Sequence, residues 1–143
     1  RLMACAAPGG IFAMQMPMTD GALYHVCTQR VLEKPRWRER LAGVRSHEHP
    51  KAAGFYYDAV SALASRVDVW EGHYHHVMKD SHGVTAWASG TTLVPYLTVL
   101  TDDEKQAFLE DYTAVATGAY PPQNDGKVIF TMRRVFMVAV RAA

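Results

Sequence analysis

An apolar run from Ile11 to Met16 follows a Pro8-Gly9-Gly10 turn and is closed by Pro17. Continuous apolarity of this length suits a strand buried on both faces of a sheet, because a half-buried strand alternates instead. Leu23, Val26, Cys27, Arg30 and Val31 then recur at three-and-four spacing, which predicts a helix over 21–33 with Pro35 as its stop. Residues 36–54 are polar and basic, broken by Gly43, Pro50 and Gly54; they read as a short helix and then a mobile loop of the kind that folds over a ligand. Phe55, Val60, Leu63 and Ala64 place a helix over 55–64. Between residues 66 and 78 the period is two, with Val67, Val69 and Val77 on one side and Trp70, Tyr74 and Met78 on the other, so a long strand is predicted. Helical segments follow at 82–88 and 93–100. A third starts at Thr101, where Glu104 completes the capping-box spacing. Gly118 and the Pro121-Pro122 pair end it, Asn124-Asp125-Gly126 turns the chain, and residues 127–140 form the last strand.

That order of elements is an α/β layer rather than a bundle. Three strands make a thin sheet for so many helices, and the first is apolar on both faces, so a further strand is expected beside it. The 143 residues are 49% hydrophobic and 20% charged, the composition of a single globular domain or a large piece of one. Their 15 basic and 14 acidic side chains are interspersed, which leaves no block of charge for nucleic acid or an anionic membrane surface. No apolar run reaches bilayer length. Cys5 and Cys27 are too few for a disulfide framework and suit a reducing, cytoplasmic compartment. Arg1 stands where an initiator methionine is expected, so the chain reads as part of a longer one.

Five segments carry a resemblance. In order and spacing, "APGGIFAMQMP", "RVDVWEGHYHHVM", "AWASGTTLVPYL", "AYPPQNDGKVIF" and "MRRVFMVA" resemble the C-terminal half of the trans-aconitate 2-methyltransferase family, which are class I S-adenosylmethionine-dependent methyltransferases. The resemblance implies a Rossmann-like, doubly wound sheet to which this chain gives the fifth, sixth and seventh strands. The last two are implied to be antiparallel, with residues 82–119 as a helical insertion between them. The whole of 1–143 is then one C-terminal part of a methyltransferase domain. It also implies that S-adenosylmethionine is held mainly by an N-terminal half, through a glycine-rich turn after the first strand and an acidic residue ending the second. No such glycine-rich stretch is present here, so the chain alone is not expected to bind the donor well.

Transfer of a methyl group from a sulfonium to a carboxylate is an in-line displacement by a nucleophile that is already charged. It needs neither a catalytic triad nor a metal, only two reactants held close and aligned in a dry site. A small polycarboxylic acid such as trans-aconitate needs fixed cations for its non-reacting carboxylates, and arginine offers the matching fork. Arg134 falls on the arginine of the family's "RLF"-type ending, here "RVF". Arg133 points to the opposite strand face and is expected in solvent. Tyr74 and His75 match a "TYYH"-like segment on the substrate side, Thr91 lies in "WASGT", and His25 matches a histidine opening the next helix. Tyr96 offers a further donor, and Gln15 sits at the carboxyl end of the first strand, where open α/β sheets place ligand contacts. The family's "QMPDN" is replaced here by a run ending Met18-Thr19. His73 and His75 share a strand face, but no acid or thiol clusters with them, so no metal is expected.

Two other functions fit the same residues: a non-catalytic remnant acting as a ligand-binding or interaction module, and a methyltransferase with another small-molecule acceptor. For either, the first strand lacks a neighbour. The chain expressed alone is therefore expected to self-associate through that edge; a monodisperse, cooperatively unfolding monomer in sedimentation and thermal melts defeats the expectation.

Overall fold

A computed structural model describes residues 2–45 and 50–143. Residues 46–49, in the middle of the expected ligand-covering loop, lie outside the described residues. The chain is α/β, with elements in the order α1 (Leu2–Cys5), β1 (Ile11–Met18), α2 (Leu23–Leu32), α3 (Pro35–Arg38), α4 (Ala53–Ser61), β2 (Ala64–Met78), α5 (Ser81–Ser89), α6 (Val94–Leu97), α7 (Asp102–Ala119) and β3 (Val128–Arg141). Among the described residues no helix is long and apolar enough to cross a membrane.

The strands form one sheet in the order β1-β3-β2. β1 runs antiparallel to β3, from Ile11 opposite Val140 to Met18 opposite Arg133. β2 is antiparallel to β3 as well: Ser65 bonds the carbonyl of Val140, while Glu71, six residues on, meets Arg133, seven residues back. The chain divides into two compact units, and β2 and β3 contribute residues to both.

The first unit comprises Arg1–Thr19, His49–Tyr74 and Met132–Ala143. Its core gathers Met3 of α1, Val60 of α4, and Met137 and Ala139 of β3, with Phe12, Met14, Tyr56, Val67 and Val69 packed around them. β1 differs from expectation in two ways. It continues through Pro17 to Met18, which an edge strand allows because only one of its sides must complete a ladder. It also alternates: Ile11, Ala13, Gln15 and Pro17 are exposed, whereas Phe12, Met14 and Met16 are partly covered and Met18 is buried. Only one of its faces is covered by core, so its apolarity did not mean burial on both sides. In α4 only Val60 is buried; Phe55 and Leu63, expected on the covered face, remain exposed. The short α1 is tied to the end of β3, where Arg141 Nη1 donates to the carbonyls of Ala4, at 2.8 Å, and Ala6.

The second unit comprises Asp20–Glu48 and His75–Thr131. α7 packs against both α2 and α5. α2 buries Tyr24, Cys27, Thr28 and Val31. Its covered stripe therefore lies one residue on from the expected one: Leu23 is exposed and the larger Tyr24 ring is inside, with its carbonyl accepting from Tyr112 Oη at 3.1 Å and Thr28 Oγ1 at 2.9 Å. Pro35 opens α3 at a first-turn position, where its lack of an N–H costs nothing. The capping box of α7 is complete, with Thr101 accepting from the Glu104 amide and the Glu104 carboxylate accepting from the Thr101 amide. Gly118 lies within α7, which ends at Ala119 ahead of the two prolines.

Charges clamp the α3 region to α7. Asp111 accepts from Lys34 Nζ and Arg36 Nε at 2.8 Å each and from Trp37 Nε1 at 2.7 Å. Arg40 forms a two-point bridge to Glu104 at 2.9 and 3.0 Å. Burial pushes the Asp111 pKa up, but the Lys34, Trp37 and Arg36 hydrogen bonds outweigh it and the net shift is downward. Glu104, bonded first by Arg40 and then by the Thr101 amide, is lowered to about 2. Carboxylates with depressed folded pKa values stabilise the fold above their unfolded values, and that contribution is lost as pH falls through the folded ones. Asp111→Asn is expected to cost about 1–3 kcal/mol at neutral pH. The gap in melting temperature between the native chain and the Asp111→Asn/Glu104→Gln pair should narrow as pH is taken from about 5 to about 2. A gap that stays constant over that range would remove the clamp from the account.

Candidate functional site

In the first unit, the side of the sheet opposite the α1 and α4 core is open, and it carries the chemistry. Strand side chains alternate, so Trp70, Gly72 and Tyr74 of β2 share one face, as do Arg134 and Phe136 of β3, and Gln15 of β1 stands opposite Phe136. Phe136 stacks on Trp70 with ring centroids 5.4 Å apart and planes 7° from parallel, and lies 6.4 Å from the Tyr74 ring. Gly72 leaves room for the arrangement. A Cβ there would come within 3.3 Å of both the Phe136 and Tyr74 rings, so the missing side chain is the slot that the phenyl ring occupies. Ala13, Gln15, Trp70 and Phe136 line a shallow cavity of about 270 Å³ on this face.

Arg134 stands beside the aromatic floor. Its Nε donates to Gln15 Oε1 at 2.6 Å, which orients the guanidinium and leaves the end-on Nη pair without a partner among the described residues. No described carboxylate pairs with it. Arg133, expected in solvent, instead bridges Glu71 at 3.0 Å across the strands. One of the two adjacent arginines is therefore neutralised and the other is not. Trp70 and Phe136 were not singled out in the sequence, although a glycine between two aromatics at period two was the available signal.

The remaining predicted residues lie in the second unit. His75 Nδ1 is 2.9 Å from Thr131 Oγ1. Thr91 Oγ1 donates to the Trp87 carbonyl at 3.0 Å, the back-bond of a helix end. Tyr96 is buried with its ring 6.2 Å from Phe108 and nearly parallel to it. His25 packs with its ring 4.8 Å from that of Tyr24 and tilted 43° to it, and Tyr24 in turn meets Trp87 edge-on at 5.1 Å. The structure thus joins Gln15 to Arg134 directly and sets Tyr74 on their face, while His25, His75, Thr91 and Tyr96 each have a separate setting. Among the described residues no three of histidine, cysteine, aspartate or glutamate gather as a metal ion would require.

These features define an α/β chain with an antiparallel three-stranded sheet that presents one guanidinium on an open aromatic face. Its homologues are methyltransferases of the class I type. The chain is 37% identical over 142 residues to the trans-aconitate 2-methyltransferase of Rhodopseudomonas palustris strain BisB18, covering 99% of this chain and 56% of that protein. It is 41% identical over 136 residues to that of Azoarcus sp. strain BH72, covering 94% and 52%, and 35% identical over 142 residues to that of Agrobacterium fabrum strain C58, covering 99% and 56%. The chain is therefore a homologue of the trans-aconitate 2-methyltransferases and spans about half the length of the curated relatives it matches. No family model matches it.

The methyl donor of such enzymes, S-adenosylmethionine, finds no fitting site among the described residues. Among the described residues the one positive-φ glycine that follows a strand and precedes a helix is Gly21, between β1 and α2. A single glycine does not make the glycine-rich turn through which backbone approaches a nucleoside.

One buried hydroxyl stands out in the second unit. Tyr120 is 4% exposed, and its Oη is the one buried side-chain polar atom without a partner among the described residues. Burial first, then the neighbouring Cys27 and Tyr24, push its pKa well above the ordinary phenol range, so it stays neutral. An unmade buried hydrogen bond is a liability, and Tyr120→Phe is expected to raise stability by about 1 kcal/mol; a lower melting temperature for the variant would show that the hydroxyl is satisfied after all.

Proposed function

We propose that this chain supplies the acceptor side of an S-adenosylmethionine-dependent transferase that forms a methyl ester on a small polycarboxylic acid such as trans-aconitate. The observation that carries the reading is the oriented, unneutralised Arg134 on the open sheet face. Homology to proteins named for this activity supports it, and the donor is assigned to none of the residues described.

The acceptor carboxylate is already the nucleophile, so the residues here need only hold it. Arg134, fixed at Nε by Gln15, presents its two Nη groups end-on, the geometry that receives both oxygens of a non-reacting carboxylate. Trp70 and Phe136 form an apolar floor for the carbon skeleton, and the phenol of Tyr74, on the same strand face, donates to a second carboxylate in this reading. A low-dielectric floor next to the ion pair strengthens it relative to water. Orientation of this kind is the main source of rate in a displacement that needs no proton transfer. His25, His75, Thr91 and Tyr96 belong to the second unit, and the reading does not depend on them.

In a complete transferase containing this chain, Arg134→Ala is expected to raise the KM for the acid roughly tenfold or more and to leave the donor's KM within about twofold, because the interaction lost is with the acceptor alone. Gln15→Ala should give a smaller change of the same kind. An unchanged acid KM in the Arg134 variant would overturn the assignment.

A further inference from the structure

Lys34, Arg36, Arg38 and Arg40 alternate along the segment after α2. Three of them meet carboxylates of α7: Lys34 and Arg36 at Asp111, and Arg40 at Glu104. Arg38 has no carboxylate partner among the described residues. Its one hydrogen bond runs from Nη2 to the Glu33 carbonyl at 2.9 Å, which orients the guanidinium without neutralising it. Arg38 lines a cavity of about 270 Å³ with Gln29, Trp37, Leu41, Ala42 and Tyr96, all within the second unit. At roughly 30 Å³ per water this is room for about nine waters, the scale of a small organic acid.

The walls suit such a ligand. Among the described residues no aspartate or glutamate lines the cavity; Glu33 and Glu39 flank Arg38 in sequence but are not on the wall. Trp37, its indole N–H committed to Asp111, and Leu41 close the cavity from behind and are themselves buried, so the surface open to a ligand is mainly polar. Gln29 adds a neutral donor and acceptor. A lone guanidinium matches the two oxygens of one carboxylate, whereas phosphate sites gather several cations or a helix N-terminus. Three of the four cations are held by acids and the fourth lines a cavity that no described acid lines, a division that simple surface solvation does not require.

We propose that this cavity binds a small organic carboxylate through Arg38, with Gln29 as the neutral polar contact. The inference does not rest on methyl transfer. It is tested by calorimetric titration of tricarballylate, a saturated tricarboxylate, into the full chain carrying Arg134→Ala, so that the sheet face contributes nothing and no methyl donor is needed. Saturable binding at one site is expected. Arg38→Gln should weaken it about tenfold or more, and so should Ala42→Glu, which sets a carboxylate on the wall. Arg30→Gln, which removes a guanidinium that does not line the cavity, should change it less than about twofold, and inorganic phosphate should bind about tenfold more weakly. Thermal melts check that each variant is folded. Absence of binding in the Arg134→Ala chain overturns the proposal while leaving the acceptor reading intact. So does binding that survives Arg38→Gln, that falls equally in Arg30→Gln, or that phosphate matches.

Discussion

β3 must be paired along both sides, and much of the molecule follows from that requirement. A central strand leaves no backbone donor or acceptor to water only if neighbours complete both of its ladders. β1 and β2 do so, and both run antiparallel to it. The consequence is an arrangement with two edges, one of them β1, and with the chemistry of three distant stretches of sequence laid side by side. Gln15 reaches Arg134 because Pro17 stands opposite Arg134 in the register and Gln15 opposite Phe136. A slip of one residue would have turned one of the two side chains to the other face.

The same alternation settles the two adjacent arginines. Arg133 shares its face with Glu71 and is neutralised there, whereas Arg134 shares its face with Phe136 and meets only an amide oxygen. A guanidinium with no carboxylate partner beside aromatic rings is a poor device for stability, since its charge is not offset, and a good one for holding an anion. The helical unit makes the same division with other residues. Asp111 and Glu104 lie on α7 seven residues apart, two turns of one helical face, and between them they take up Lys34, Arg36 and Arg40 but not Arg38.

How much of this was legible beforehand depends on the range of the interactions involved. The capping box at Thr101, the helix that it opens, the turn at Gly126 and the long strand from β2's alternation are local, and they occur where the pattern puts them. The face of α2 was misjudged by one residue at its start, because Tyr24 is drawn inside in place of Leu23 by rings distant in sequence, Trp87 of α5 and Phe130 of β3. β1 was read as buried on both sides, because composition reports what a strand can tolerate rather than what covers it. The motifs pointed to the methyltransferase relatives, and the Trp70-Gly72-Tyr74 spacing carried a local hint of an aromatic slot, yet nothing marked Phe136 as its occupant or the cavity beside Arg38.

What the sequence determined by itself was the succession of strands and helices after the short α1, the capping box of α7, the turn at Gly126, the α/β class and the kinship with trans-aconitate 2-methyltransferases. All of these rest on residues close together in the chain or on their order along it. Only the tertiary structure decided which arginine is neutralised, which side of the sheet stays open, and which cation faces a cavity. Those outcomes depend on strand register and on acids some 60–75 residues away, as in the pairings of Arg133 with Glu71, Arg40 with Glu104 and Arg36 with Asp111. Charge at such separations has no local signature, because nothing in a residue's own neighbourhood says what will be brought against it.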